Sequence, residues 1–138
     1  MKTHIVIHHT AHPVDVPISE IRKWHVDGNG WKDVGYNYYI RQSGEIEVGR
    51  MEHEIGAHCI ADRMNHRGIG ICLSGDFTKT YPNDNQLSSL RKLVQSLILR
   101  HDIKEVLGHR DVKGASTLCP GFDVKECLLV ETGRSYGI

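Results

Sequence analysis

The stretch HIVIHH at residues 4–9 constrains the fold most. It is a β-branched apolar run closed by two histidines, and it reads as a buried strand. A second run, IGICLSG at 69–75, has the same character. Helical patterns and one hairpin pattern fill the rest of the chain. Strands alternating with helices argue an α/β domain with a central mixed β-sheet and helices on its faces.

Pro13 and Pro17 break the chain after the first strand. Ser19 then reads as the N-cap of a helix over EIRKWHVD. Ile21 and Trp24 share one face of it, which assigns Trp24 to the core, and Gly28 and Gly30 stop it. YNYYIRQSGEIEVGR at 36–50 reads as a hairpin turning at Ser-Gly. Tyr38 and Tyr39 alternate across its first strand, one inward and one outward. Residues 51–68 show no clean period and read mostly as a loop of functional character. Asn83 with Gln86 forms a capping box, followed by one apolar face of Leu87, Leu90, Leu93, Val94, Leu97 and Ile98. EVLG at 105–108 is a short strand. Asp123 with Glu126 opens a last helix near VKECLLV, and the terminal GRSYGI is expected to fray. No repeat, linker or low-complexity tract interrupts residues 1–138, so a single domain is expected.

Seventeen basic residues balance 17 acidic ones. That excludes a nucleic-acid or anionic-membrane binder driven by net charge. No apolar stretch approaches the length of a membrane span, and the N-terminal apolar run is too short for a signal peptide. Synthesis in the cytoplasm without an address of its own is the expectation. Cys59, Cys72, Cys119 and Cys127 form no C-x-x-C pair and read as reduced thiols.

The segment LGHRDVKGASTLCPGFD at 107–123 carries the chemistry. His109 stands at a strand end, and Cys119 follows a loop of small residues. His8 and His9 also end a strand. Ligand sites in α/β sheets gather at the carboxyl ends of strands. If the first strand and the 105–108 strand are neighbours, one of His8 or His9 faces His109 and Cys119. Two imidazoles and a thiolate suit zinc, and three protein ligands leave the fourth position open, as in catalytic sites. Water bound there would have its pKa lowered to about 7. On spacing alone, a packing Cys119 and an exposed His109 explain the pattern equally well.

Taken in order, VIHHTA (6–11), EIRKWHVDGNGWKDVGYNYYI (20–40), GEIEVGR (44–50), GAHCIADRMNHRGIGICLSGDF (56–77) and GHRDVKGASTLCPGFD (108–123) resemble the type 2 N-acetylmuramoyl-L-alanine amidases. This is the bacteriophage T7 lysozyme / peptidoglycan recognition protein superfamily. The resemblance implies that family's single-domain fold and a zinc ion (Zn2+) held by His8, His109 and Cys119, with His9 in a supporting or packing place. It implies Tyr36 as the active-site tyrosine. Two residues before the cysteine, where the phage members carry lysine, stands Thr117, an uncharged donor to a developing oxyanion; Lys113 lies in the same loop. The loop from His109 to Cys119 is also longer than in the phage pattern. His58 and Asn65 fall in the loop lining the family's substrate groove and are expected to bind substrate. Trp31 is open as a sugar- or peptide-facing ring, and Cys59, Cys72 and Cys127 are expected to be structural. Tyr36, His58 and the zinc-bound water are the candidates for the general acid.

The implied reaction is hydrolysis of the amide between N-acetylmuramic acid and L-alanine of peptidoglycan, by a monomer. A phage or prophage endolysin-like role, reaching the wall after another protein permeabilises the membrane, is the leading setting. A cytoplasmic muropeptide-recycling amidase and a non-catalytic peptidoglycan-binding module are the alternatives. The binding modules typically replace a metal ligand, and Cys119 is present here.

Overall fold

The run His4–His9 forms strand β1, and it is paired on both edges. It lies parallel to β4 (Gly68–Leu73) on one side and parallel to β5 (Glu105–Gly108) on the other. Strand β2 (Tyr38–Ile40) joins the far edge of β4 in parallel, and β3 (Ile46–Val48) closes the hairpin antiparallel to β2. The order is therefore β3-β2-β4-β1-β5, a mixed sheet. This computed structural model describes residues 1–129; the segment expected to fray lies outside the described residues.

Alternation along the strands sorts their side chains onto two faces. Ile5 and Ile7 of β1 and Ile69, Ile71 and Leu73 of β4 point to one face. There they meet helix α3 (Asp84–Arg100) through Leu87, Leu90, Leu93, Val94 and Leu97. The last helix, α4 (Val124–Leu129), adds Val124, Cys127 and Leu128 to the same core. Each such side chain taken fully from water contributes about 1.5–3 kcal/mol. The α3 face is the one that its periodicity predicts. Its capping box is present: Gln86 N–H donates to Asn83 Oδ1 at 2.9 Å, and Asn83 N–H donates to Gln86 Oε1 at 3.3 Å. At α4, Glu126 N–H donates to Asp123 Oδ1 at 3.1 Å.

The opposite face carries two smaller clusters. One holds Val6, Cys59, Met64, Leu107 and Val112. The other packs Tyr39 and Cys72 against Ile18, Ile21 and Val34, with Trp24 half-buried at its margin rather than inside it. Tyr39 is inward and Tyr38 half-buried, as alternation requires.

The start of α1 (Ile18–Lys23) differs from expectation. Pro17, not Ser19, occupies the cap position, and no side chain of the cap residue bonds the helix. The first helical amide is instead satisfied from a distance, because Ile18 N–H donates to Glu47 Oε1 of β3 at 3.1 Å. The helix runs on through a π-helical turn, Trp24–Gly28, and Gly30 takes a positive φ beyond it. Residues 51–68 are mostly irregular, with a 3-10 turn at Ala61–Arg63 and a short helix α2 (Met64–Arg67). Among the described residues, no helix is long and apolar enough to cross a membrane.

One polar cluster ties the hairpin to the end of α3. Glu52 accepts from Arg100 Nη1 at 2.7 and 2.8 Å, bonds His101 Nε2 at 2.6 Å, and accepts from the Tyr38 hydroxyl. Burial opposes the Glu52 charge, but the bonds from Arg100, Tyr38 and His101 outweigh it and hold its pKa at about 2. A carboxylate lowered by folding stabilises the fold above its unfolded pKa and loses that effect as pH falls toward the folded one. Glu52→Gln should therefore cost about 2 kcal/mol at neutral pH. The gap between variant and wild type in denaturant unfolding should close as pH is lowered from about 5 to about 2.

Candidate metal centre

Strand parity separates the two histidines at the end of β1. His9 follows Ile5 and Ile7 onto the α3 face, where its ring stacks on Phe77 and its Nδ1 accepts Phe77 N–H at 3.1 Å. His8 follows Val6 onto the other face and is 2 % exposed. There it meets the chain that leaves β5. His109 opens a 3-10 turn directly after that strand, and the loop beyond it returns to place Arg110 N–H on the carbonyl of Cys119 at 2.7 Å.

His8, His109 and Cys119 each bring one ligand atom within 4.8 Å of the others. His8 Nδ1 lies 3.7 Å from Cys119 Sγ, and the rings of His8 and His109 are 4.7 Å apart. His9 contributes through its backbone, its N–H donating to Cys119 Sγ at 3.4 Å.

The electrostatics suit a cation. Burial, then the neighbouring His58, His109 and His9, push the His8 pKa well down, and burial lowers that of His109. Both imidazoles are thus held neutral, the form that ligates. Burial raises the Cys119 thiol to about 11, with the His9 N–H pulling the other way. A buried thiol among neutral imidazoles gains its thiolate form when a divalent ion arrives. The donor set of two nitrogens and one sulfur fits zinc and leaves a fourth position for water or substrate.

Tyr36 stands beside this cluster, its ring 5.3 Å from that of His8. The next residue, fully buried Asn37, fixes the turn: it accepts Gly70 N–H at 2.9 Å and donates to the carbonyls of Arg50 and Met51. The Tyr36 hydroxyl bonds the Cys72 thiol, and burial, then the thiols of Cys72 and Cys119, raise its pKa well above the usual phenol value. It stays a protonated donor. Thr117 is exposed, and its hydroxyl accepts Cys119 N–H at 3.1 Å, bracing the loop that carries the thiol.

A groove of about 510 Å³ runs up to His109, lined by Trp31, Ala57, His58, Ile60 and Asn65 among others. Sequence reasoning left Trp31 open; the fold sets it in the groove wall against His25. Ile60, 88 % exposed, forms an apolar lip that no periodic signal in residues 51–68 marked. Cys59 lines the groove yet is buried, as are Cys72 and Cys127. Asn65 accepts the N–H groups of both His58 and Cys59 on one oxygen, each at 2.7 Å. His58 reaches the groove surface at only 9 % exposure; Nδ1 lies 2.9 Å from His8 Nε2, and Nε2 lies 3.2 Å from the Gly68 carbonyl oxygen. Burial lowers its pKa to about 4.

A five-stranded mixed sheet with a His, His, Cys cluster at the strand ends and an adjoining groove defines a metallohydrolase-like α/β domain. The chain belongs to the N-acetylmuramoyl-L-alanine amidase family, whose model matches residues 2–122. It is 38% identical to the endolysin of Enterobacteria phage T3 and 37% identical to that of Escherichia phage T7, in each case covering 80% of this chain and 74% of the relative. The amidase LysC from Clostridium intestinale superposes with a TM-score of 0.80 at 34% identity, over 88% of this chain and 78% of LysC. Drosophila PGRP-LB superposes with a TM-score of 0.80 at 27% identity, over 98% of this chain and 84% of that one.

Replacing Asn65 with Ala leaves two amides of the groove wall without their acceptor. A loss of about 1–3 kcal/mol is expected. Amide hydrogen exchange at His58 and Cys59 should accelerate, while that in β1 and β4 should not.

Proposed function

We propose that this chain is a zinc-dependent N-acetylmuramoyl-L-alanine amidase of the phage endolysin kind, hydrolysing the amide between N-acetylmuramic acid and L-alanine. The observation that carries the proposal is the convergence of His8, His109 and Cys119 within 4.8 Å at the end of a groove. Membership of the amidase family supports the same reading. The relatives named as endolysins favour a lytic role over muropeptide recycling. Neighbours that recognise peptidoglycan fragments, such as PGRP-LB in complex with tracheal cytotoxin, support peptidoglycan as the ligand class. The intact ligand set favours an enzyme over a binding module. The chain acts as a monomer on cell-wall peptidoglycan, reached after another protein permeabilises the membrane.

His8, His109 and Cys119 hold the metal. Zinc in that place supplies Lewis acidity toward a carbonyl oxygen and makes water a stronger acid. The remaining work falls to the chain's own residues. The groove seats the substrate, with Trp31 and Ile60 as its apolar surfaces and Asn65 holding the wall in place. Tyr36, protonated throughout the working pH range, turns its hydroxyl to the oxyanion that develops on the scissile carbonyl. Thr117 adds an uncharged donor at the loop tip. The burial that keeps His8 neutral also excludes bulk water, which strengthens each of these hydrogen bonds.

The test is product analysis by mass spectrometry. Purified peptidoglycan is incubated with protein as isolated, with chelator, and with zinc restored. Stem peptides with a free L-alanine amino terminus should appear, vanish with chelator and return with zinc. Cys119→Ser should abolish both zinc retention and product. Wall binding without cleavage by zinc-loaded protein would leave a recognition module instead. Tyr36→Phe should keep zinc while kcat falls by about 10²–10³, the cost of one oxyanion donor.

A further inference from the structure

The carbonyl of Gly68 decides the hydrogen-bond pattern behind the candidate metal centre. A carbonyl only accepts, so His58 Nε2, 3.2 Å from it, carries the proton and donates. A neutral imidazole has one N–H, which leaves His58 Nδ1 as an acceptor. That nitrogen lies 2.9 Å from His8 Nε2, so His8 Nε2 must donate. The lone pair of His8 is then on Nδ1, the atom that faces Cys119 Sγ at 3.7 Å. Two buried imidazoles thus link a backbone carbonyl of β4 to a ligand atom.

From this chain of bonds we infer that His58 is a positioning residue: it holds His8 in the Nε2–H tautomer and aims Nδ1 at the metal. The inference rests on the zinc reading above, and it gives His58 a role other than direct contact with substrate.

The packing around His58 supports it. A Cβ built on Gly70 would lie 2.7 Å from His58 Cγ, and one on Gly56 would lie 2.6 Å from His58 Cδ2. Glycine at both places clears a slot of one ring's size. Gly70 pairs with Val6 in the sheet, on the same face as His8, so the slot opens beside the ligand. The backbone of His58 is held in turn by Asn65 Oδ1. The ring has neither room to swing out nor a loose loop to carry it away. The Gly68 oxygen also accepts from Lys2 Nζ at 3.3 Å, which fixes the far end of the chain as an acceptor.

The experiment measures zinc affinity by competition with a chromophoric chelator, in wild type, His58→Ala and His58→Asn. Far-UV circular dichroism monitors the fold. Loss of the outer hydrogen bond of a ligating histidine typically weakens metal binding about 10–100-fold, and that is the loss expected for His58→Ala. Asparagine places an amide oxygen near the site of Nδ1, so His58→Asn should recover most of the affinity. In zinc-loaded wild type, nitrogen-15 NMR of the imidazoles should show protons on Nε2 of both His8 and His58. Wild-type zinc affinity in His58→Ala, or His8 ligating through Nε2, overturns the inference while leaving the zinc reading intact. A wild-type protein that takes up no zinc overturns both. Should His58→Ala not fold, the tautomers of the wild type decide the matter alone.

Discussion

Every feature of the candidate centre depends on the alternation of side chains along β1. Because neighbours in a strand face opposite ways, His8 and His9 cannot serve the same site. One register places His8 beside His109 and Cys119 and gives His9 to the core under α3. A slip of one residue would exchange them and would also turn Ile5 and Ile7 away from α3. The hydrophobic core and the ligand set are therefore specified by the same register. The partnership of β1 with strands on both edges makes that register hard to change.

The central place of β1 has an electrostatic result as well. A histidine at its carboxyl end is desolvated by strands on either side and by the loops above. Burial drives His8 toward the neutral form before any metal arrives. A buried imidazole needs its polar atoms satisfied. The fold meets that need with a second buried imidazole, and it makes space for that ring by leaving side chains off β4 at Gly70 and off the adjoining loop at Gly56. Those glycines are not there for backbone freedom, since neither takes a positive φ. They are there because a methyl group would occupy the ring's volume.

What local pattern determines was legible in the sequence. The β-branched runs became strands, the Asn83–Gln86 box starts α3, and the periodic leucines face the core. The parts that were not legible depend on contacts distant in sequence. The cap of α1 comes from Glu47, on the hairpin, so Ser19 looked like the only local candidate. Residues 51–68 follow no period because they are organised by side chains reaching backbone: Asn65 to two amides, and Lys2 to the carbonyls of Glu54 and Gly68. Trp31 reaches the groove through a turn with no repeat to mark it. The resemblance placed His58 and Asn65 in the right loop, but no spacing shows that both bond inward.

The loop from His109 to Cys119 raises a question of entropy. A flexible loop of this length must be closed before both residues can meet one ion, and closing it costs conformational freedom. Here the chain closes it with its own bonds. Arg110 N–H meets the Cys119 carbonyl, Val112 and Ala115 turn the backbone in steps, and Thr117 braces the amide of Cys119 itself. Val112 is buried against Val6 and Leu107, which anchors the middle of the loop to the sheet. The ordering cost is thus met largely by folding rather than by metal binding. The longer loop and the loss of a lysine at position 117, relative to the phage pattern, are compatible with a centre of this kind. Its geometry depends on the closing bonds and on Val112, not on the charge at the loop tip.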